Sequence, residues 1–341
     1  MLKVNDICEF KIIDTGINFE GISKTEDGLT VFIPDALKGE VVTAKIIKVN
    51  KSYALGNLLD IKQASGHRCK EDCEYYNICG GCSSRHTDYE NTLEIKKANV
   101  INTLKKQDIS DSFVKDIYGM GNPYYYRNKV QYPVRKYKGE TIMGMFAKAT
   151  HDIVQNRYCL IQDKIIDEVA KDLFDLVIKY HLEGYDESKG TGEVRNIMVR
   201  RGTHTGEIMC VLVLNNEKIL QDERLDNIIK QITCKYHEIV SFVVNINTKI
   251  TNVILTNSNM CVYGREYILD IIGDYIFKIT ADSFFQVNTI QAEVLYNVLK
   301  EKLELNKDKT LLELYSGVGS IGIFLSDSKE ILKRNIKLEI K

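Results

Sequence analysis

The first 62 residues break into short apolar runs separated by turns, and that segmentation confines the N-terminal part of the chain to a small β structure. The runs are Asp6–Ile13, Gly16–Thr25, Leu29–Pro34, Glu40–Val49 and Leu55–Ile61, broken by Glu26-Asp27-Gly28 and Leu37-Lys38-Gly39. This spacing predicts a β-barrel over residues 1–62. Barrels of this size commonly hold single-stranded or looped nucleic acid. Lys45, Lys48, Lys51 and Lys62 would give this one a basic flank, although solvated lysines on exposed strands account for them equally well.

Past residue 62 the pattern changes. Residues 63–88 are rich in Cys and Gly, and Tyr89 to about Gln107 carries Leu93, Val100, Ile101 and Leu104 at helical spacing. Residues 63–275 read as a central mixed α+β domain. Its strand-like runs are Lys129–Val134, Ile197–Arg200, Ile208–Leu214, Ile239–Asn245 and Asn252–Leu255, with one clear helix at Ile165–His181. A third region, 276–341, holds an amphipathic helix from Ile290 to about Leu303, with Val294, Leu295, Val298 and Leu299 on one face, and then a strand, Thr310–Tyr315.

Composition narrows the class of protein. With 44% hydrophobic and 27% charged residues over 341 positions, the chain suits two or three folded domains. A formal net charge of −1 leaves any nucleic-acid surface to local basic clusters. The N-terminus lacks a basic stretch followed by an apolar run, and no window reaches the ~18 apolar residues of a membrane span. The expectation is a cytoplasmic monomer with no membrane role.

Nine cysteines without a leader argue against a disulfide framework. Cys8, Cys210, Cys234 and Cys261 sit singly in apolar runs and read as small buried hydrophobes. Cys73-x5-Cys79-Gly80-Gly81-Cys82 is different, because its glycines let the backbone fold tightly enough for three thiols to face one centre. A fourth thiolate would come from Cys69 or Cys159, and four cysteines suit an iron–sulfur cluster or zinc.

Near the C-terminus, Leu311-Leu312-Glu313-Leu314-Tyr315-Ser316-Gly317-Val318-Gly319-Ser320-Ile321-Gly322 reads as an apolar strand, a glycine turn and a helix start. That is the architecture of a nucleotide-binding crevice. With Glu313 ending the strand, the pattern alone suits S-adenosyl-L-methionine (SAM) or a nicotinamide dinucleotide. The acid that a nicotinamide site wants about 20 residues on is missing or displaced to Glu339.

Taken together, these residues resemble the RNA 5-methyluridine (uracil-5-) methyltransferases over residues 1 to about 326. The likeness rests on Glu20-Gly21-Ile22 and Val31 to Glu40 in a barrel that looks like a TRAM domain, and on the Cys73, Cys79, Cys82 motif. It continues through Tyr126-Arg127-Asn128-Lys129-Val130-Gln131, Gly144-Met145-Phe146, Ser283-Phe284-Phe285-Gln286-Val287-Asn288 and Leu314 to Gly319. The resemblance implies an α/β multidomain protein: an OB-like TRAM barrel, a central α+β domain with an iron–sulfur site, and an incomplete Rossmann-like SAM-binding domain. It selects Cys159 as the fourth ligand of a [4Fe–4S] cluster. Gln286, Tyr315, Gly317, Gly319 and Ser320 fall at its cofactor positions. Arg127, Lys129, Arg195 and Arg200 are the candidate RNA contacts, with Arg201 beside them, and Phe284 and Phe285 would wall the pocket of a flipped base.

The implied reaction is SAM-dependent methylation of uracil C5, in ribosomal RNA first and transfer RNA second. In that chemistry a cysteine thiolate adds to C6, because C5 is too weak a nucleophile until C6 is saturated. The Asp-Pro-Pro-type motif, the nucleophilic cysteine and the C-terminal base have no counterparts here, and the match stops at about Ser326. The expectation is therefore a truncated chain with no catalytic residue, inactive alone and perhaps completed by a separately encoded fragment. The competing readings are a non-catalytic RNA-binding iron–sulfur module and, more weakly, a nicotinamide-dependent enzyme.

Overall fold

The computed structural model describes residues 2–305 and 311–326. They fall into two compact units: residues up to Gly121 with Ala147–Thr150, and Asn122–Phe146 with the described residues from His151 onward. The boundary differs from the one at 62 read from the sequence. The cysteine loop and first helix share bonds with the barrel, such as Arg68 to Glu40 and Asn99 Nδ2 to the Gly16 carbonyl, so they cluster with it.

In the first unit, β1 (Ile7–Lys11), β2 (Asp14–Thr15), β3 (Gly21–Lys24), β4 (Thr30–Ile33), β5 (Val41–Val49) and β6 (Tyr53–Gln63) form one sheet in the order β1-β5-β6-β4-β3-β2. Only β4 and β6 pair in parallel. Alternation does the work expected of it: Val42, Ala44 and Ile46 of β5 point inward onto Val31, Ile33 and Ala54. A Cβ on Gly21 would lie 2.8 Å from the Ala36 Cβ, so the glycine of the Glu20-Gly21-Ile22 motif is there for close packing. The helix α1 (Tyr89–Lys105) starts where Asp88 accepts a bond from the Asn91 amide at 2.7 Å.

The second unit is built on a six-stranded sheet in the order β14-β13-β12-β11-β7-β8. Its strands are β7 (Lys129–Tyr137), β8 (Glu140–Met143), β11 (Val194–Arg201), β12 (Ile208–Leu214), β13 (Ile239–Ile246) and β14 (Asn259–Gly264). A small ladder, β9 (Met145–Phe146) with β10 (Ile153–Val154), stands apart. A Cβ on Gly144 would come within 2.0 Å of the Val154 carbonyl, so this glycine too is fixed by a close backbone approach.

The two faces of the sheet carry separate cores. One packs α2 (Lys164–Lys179) and α3 (Glu223–Lys235) through Ile166, Val169, Leu173, Leu225, Ile228 and Ile232 onto Val199, Cys210, Leu212 and Val244. The other packs the hairpin β15 (Tyr267–Ile272) and β16 (Tyr275–Thr280), α4 (Thr289–Leu303) and α5 (Ser320–Leu325) onto Met198, Met209, Val211 and Val243. Covered on both sides, β12 is buried at every residue, which is why it reads IMCVLVL without alternation. Each such side chain contributes roughly 1.5–3 kcal/mol.

Several sequence expectations need correction. Asn252–Leu255 is a loop, because its carbonyls at Val253 and Ile254 are taken by the Asn247 side-chain amide instead of a neighbouring strand. On α4 the buried face is Ala292 and Tyr296, with Leu295 half exposed. Tyr296 packs on Phe324, its ring 5.5 Å away, and this contact sets the rotation of the helix. Of the four single cysteines only Cys210 is buried; Cys8 and Cys261 are partly exposed and Cys234 is exposed. No strand forms among the described residues after Thr280, so Leu311–Tyr315 is irregular, with Leu312 and Leu314 exposed. Thr310, Glu339 and the non-matching tail 327–341 lie outside the described residues. No helix among the described residues is long and apolar enough to cross a membrane.

Candidate functional site

The glycine loop begins at Tyr315, whose ring is fully exposed and whose φ of 58° is left-handed, an unfavourable setting for a bulky residue. Gly317 at 56° and Gly319 at 72° share that region at no steric cost. The Gly319 amide donates to the Ser316 carbonyl at 2.8 Å, and Gly319 opens α5. Glu313 turns back to accept from the Gly322 amide at 2.9 Å, and Ser320 Oγ meets the Tyr296 hydroxyl at 2.9 Å. A Cβ on Gly317 would meet nothing within 4 Å, so the backbone there is open to a ligand. These features fit the loop of a nucleoside-bearing cofactor.

The Ser283–Asn288 segment lies against the start of β7. The Asn128 amide donates to the Val287 carbonyl at 2.8 Å, and its side-chain amide donates to the Gln286 carbonyl at 3.1 Å and the Thr289 hydroxyl at 2.9 Å. Gln286 is thus held by its backbone. The two phenylalanines divide: Phe285 is buried against Phe277, and Phe284 is 70% exposed.

The structure separates the four cations read as RNA contacts, with Arg195 and Arg200 near opposite ends of β11. Arg200 is buried and donates through Nη1 to the Thr280 and Ser283 carbonyls at 2.7 and 3.0 Å; burial pushes its pKa down to about 10. Arg195 is also buried, donating through Nη1 to the Asn247 and Lys249 carbonyls at 2.7 Å each. Both side chains shape loops. Lys129 pairs with Arg200 across the strands and is partly exposed. Burial, with Arg200 and Arg127 nearby, pushes Lys129 down to about 8. Arg127 and Lys129 make no ion pair among the described residues, whereas Arg201 is bonded to Asp163 at 2.7 Å. The sequence reading passed over Tyr124 and Tyr125, both over a third exposed; the tyrosine run ahead of Arg127 was the available signal.

In the first unit Tyr76 is buried at the cysteine loop, its hydroxyl 2.8 Å from Asp35 Oδ1 and 2.7 Å from His86 Nδ1. A carboxylate only accepts, so Tyr76 donates to Asp35 and His86 Nδ1 donates to Tyr76. That leaves His86 Nε2 buried without a partner, and burial holds His86 below its usual pKa. Cys73, Cys79 and Cys82 are partly exposed. Burial pushes the Cys79 thiol up, against a lowering bond from the Gly81 amide and with small raising contributions from Cys82 and Cys73. Among the described residues, however, no three His, Cys, Asp or Glu side chains are gathered closely enough to hold a metal ion. Cys159 belongs to the other compact unit. None of the barrel lysines at 45, 48, 51 and 62 is buried, and Lys62 is paired with Asp60 at 2.7 Å.

Residues 3–59 match the TRAM domain family. An uncharacterized RNA methyltransferase of Clostridium acetobutylicum is 41% identical over 330 residues, 96% of this chain and 71% of the relative. A second, from Clostridium tetani, is 40% identical over 95% of this chain and 70% of its own length. Among solved structures, the crystal structure of the Pyrococcus abyssi tRNA (uracil-54, C5)-methyltransferase in complex with S-adenosyl-L-homocysteine superposes with a TM-score of 0.72. It is 21% identical and covers 93% of this chain and 70% of that one.

Proposed function

Because the chain belongs to the RNA methyltransferase family, we propose that it serves SAM-dependent methylation of uracil C5 in RNA. The fold likeness to a tRNA uracil-C5 methyltransferase supports this reading. The observation that carries it is the glycine loop, open at Gly317 and left-handed from Tyr315, on the same unit as the pinned Gln286 segment. Bound SAM would supply an electrophilic methyl group. The chain's own residues would hold it: Gly317 and Gly319 by close backbone approach, Ser320 and Tyr315 on the loop, and Gln286 from the pinned segment. Phe284 is exposed enough to wall a pocket for an unpaired base, and Lys129 and Arg127 are the cations left to meet phosphate. No residue is assigned to the bond-making steps.

Nucleoside analysis tests the proposal. Ribosomal and transfer RNA from cells with and without the gene are digested and compared. Loss of 5-methyluridine from one fraction is expected, ribosomal RNA first; an unchanged content in both, or loss of a different methylnucleoside, sinks it.

The cysteine loop carries a second element of the proposal, that Cys73, Cys79 and Cys82 ligate a [4Fe–4S] cluster, with zinc as the alternative. The donor chemistry supports it, though the thiols are not gathered at metal distances among the described residues. Protein purified without oxygen should contain iron and acid-labile sulfide and lose both in Cys82→Ser. Zinc without sulfide selects the alternative, and neither metal ends the idea. Cys69→Ser and Cys159→Ser, compared in the same assay, decide the fourth ligand.

A further inference from the structure

We propose that Tyr124 and Tyr125 form a stacking platform for an unpaired nucleobase beside the target uridine, with Lys164, Arg127 and Lys129 receiving the adjoining phosphates. The inference rests on the reading of the substrate as RNA and adds where a neighbouring base is held.

The two rings are 39% and 36% exposed, adjacent in sequence, with centroids 6.3 Å apart and planes tilted by 43°. Tyrosine carries a large flat ring with a polar tip, and such faces suit bases of any identity. The backbone beneath them is fixed. Tyr125 has a left-handed φ of 55°, and its amide donates to the Leu160 carbonyl at 2.9 Å. Two residues on, the Arg127 amide donates to the Ile161 carbonyl at 2.9 Å, and the Arg127 carbonyl accepts from the Asp163 amide at 2.9 Å. The flanking bonds thus hold a bulky residue at a costly backbone setting.

Charge complements the rings. Lys164 Nζ lies 4.4 Å from the Tyr125 centroid and, like Arg127 and Lys129, makes no ion pair among the described residues. Arg127 Nε is buried without a partner, and Lys129 sits opposite Arg200. Aromatic rings interleaved with cations that no carboxylate neutralises are the arrangement that holds single-stranded nucleic acid. The same run of chain ends at Asn128, whose side chain holds the Gln286 carbonyl, so the platform leads directly to the cofactor segment.

The chain has no tryptophan, which leaves 2-aminopurine fluorescence free of protein background. A short single-stranded oligoribonucleotide with 2-aminopurine among uridines is titrated with the full chain. Stacking should quench the probe on binding; Tyr125→Leu should bind about tenfold or more weakly and lose the quench, and Tyr125→Phe should keep both. Lys164→Ala, which leaves both rings in place, should bind more weakly with a shallower salt dependence. If Tyr125→Leu binds and quenches like the parent while remaining folded by circular dichroism, the platform is refuted and the RNA reading stands. If the parent itself fails to bind any RNA, both fall together.

Discussion

Replacing Glu40 with alanine destabilises the N-terminal unit by about 3–5 kcal/mol, the cost of breaking a buried ion pair by removing one partner. Glu40 is fully buried and accepts from the Leu37 amide at 2.8 Å, the Ser65 amide at 3.1 Å, and Arg68 Nε and Nη2 at 2.6 and 2.8 Å. Arg68, itself largely buried, also donates to the Asp35 carbonyl at 2.6 Å. One carboxylate therefore ties a barrel turn to the start of the cysteine loop. Without it a buried guanidinium loses its counter-charge and two amides lose their acceptor. Urea unfolding followed by circular dichroism measures the loss, and a midpoint within error of the parent's would show that water fills the gap.

The same unit should weaken with acid, for two separable reasons. Burial alone would raise the Glu40 pKa, but Arg68 and the two amides more than offset it and hold the carboxyl below its ordinary value. Its stabilisation is present above about pH 4.3, the unfolded value, and is lost as pH falls through the lowered folded value. His86 is held low by burial, so the unfolded chain takes up a proton first. That contribution is present above about pH 6.5 and is lost as pH falls below it. The Glu40→Ala midpoint should keep the shallow fall near pH 6 and lack the later one.

What the sequence could reveal followed the range of each interaction. Alternation and 3.6-residue periodicity are local, so β5, α2 and β13 were legible to within a few residues. Glycines at Gly21 and Gly144 stood out in motifs, yet their reason, a backbone or methyl group from a distant segment, belongs to the folded chain. The hairpin β15–β16 and α3 escaped because their apolar faces complete a two-sided sheet whose pairing order the sequence does not display. Arg195 and Arg200 were the hardest to read. An arginine beside a motif has the same letter whether it faces a phosphate or caps a buried carbonyl, and only the partners at Asn247, Lys249, Thr280 and Ser283 distinguish the two.

Arg200→Ala turns that distinction into a measurement. Two charge-assisted bonds at roughly 1.5–3 kcal/mol each set the scale, and a loss of about 3–5 kcal/mol is expected, because the Ser283 carbonyl is left without its donor. The Thr280 carbonyl fares better, since Ser283 Oγ still reaches it at 3.1 Å. The change should also reach Lys129. Burial is the first cause of its lowered pKa of about 8, and the repulsion from Arg200 comes next, so removing Arg200 should move Lys129 upward in a lysine side-chain NMR titration. Arg200→Lys keeps the charge on a shorter, more flexible stem than the guanidinium, so it should recover the Lys129 pKa and only part of the stability. If Arg200→Ala instead leaves the unfolding midpoint and Lys129 untouched and weakens RNA binding alone, the guanidinium faces the nucleic acid, and the carbonyl bonds that hold the Thr280–Ser283 turn are not what the residue is for.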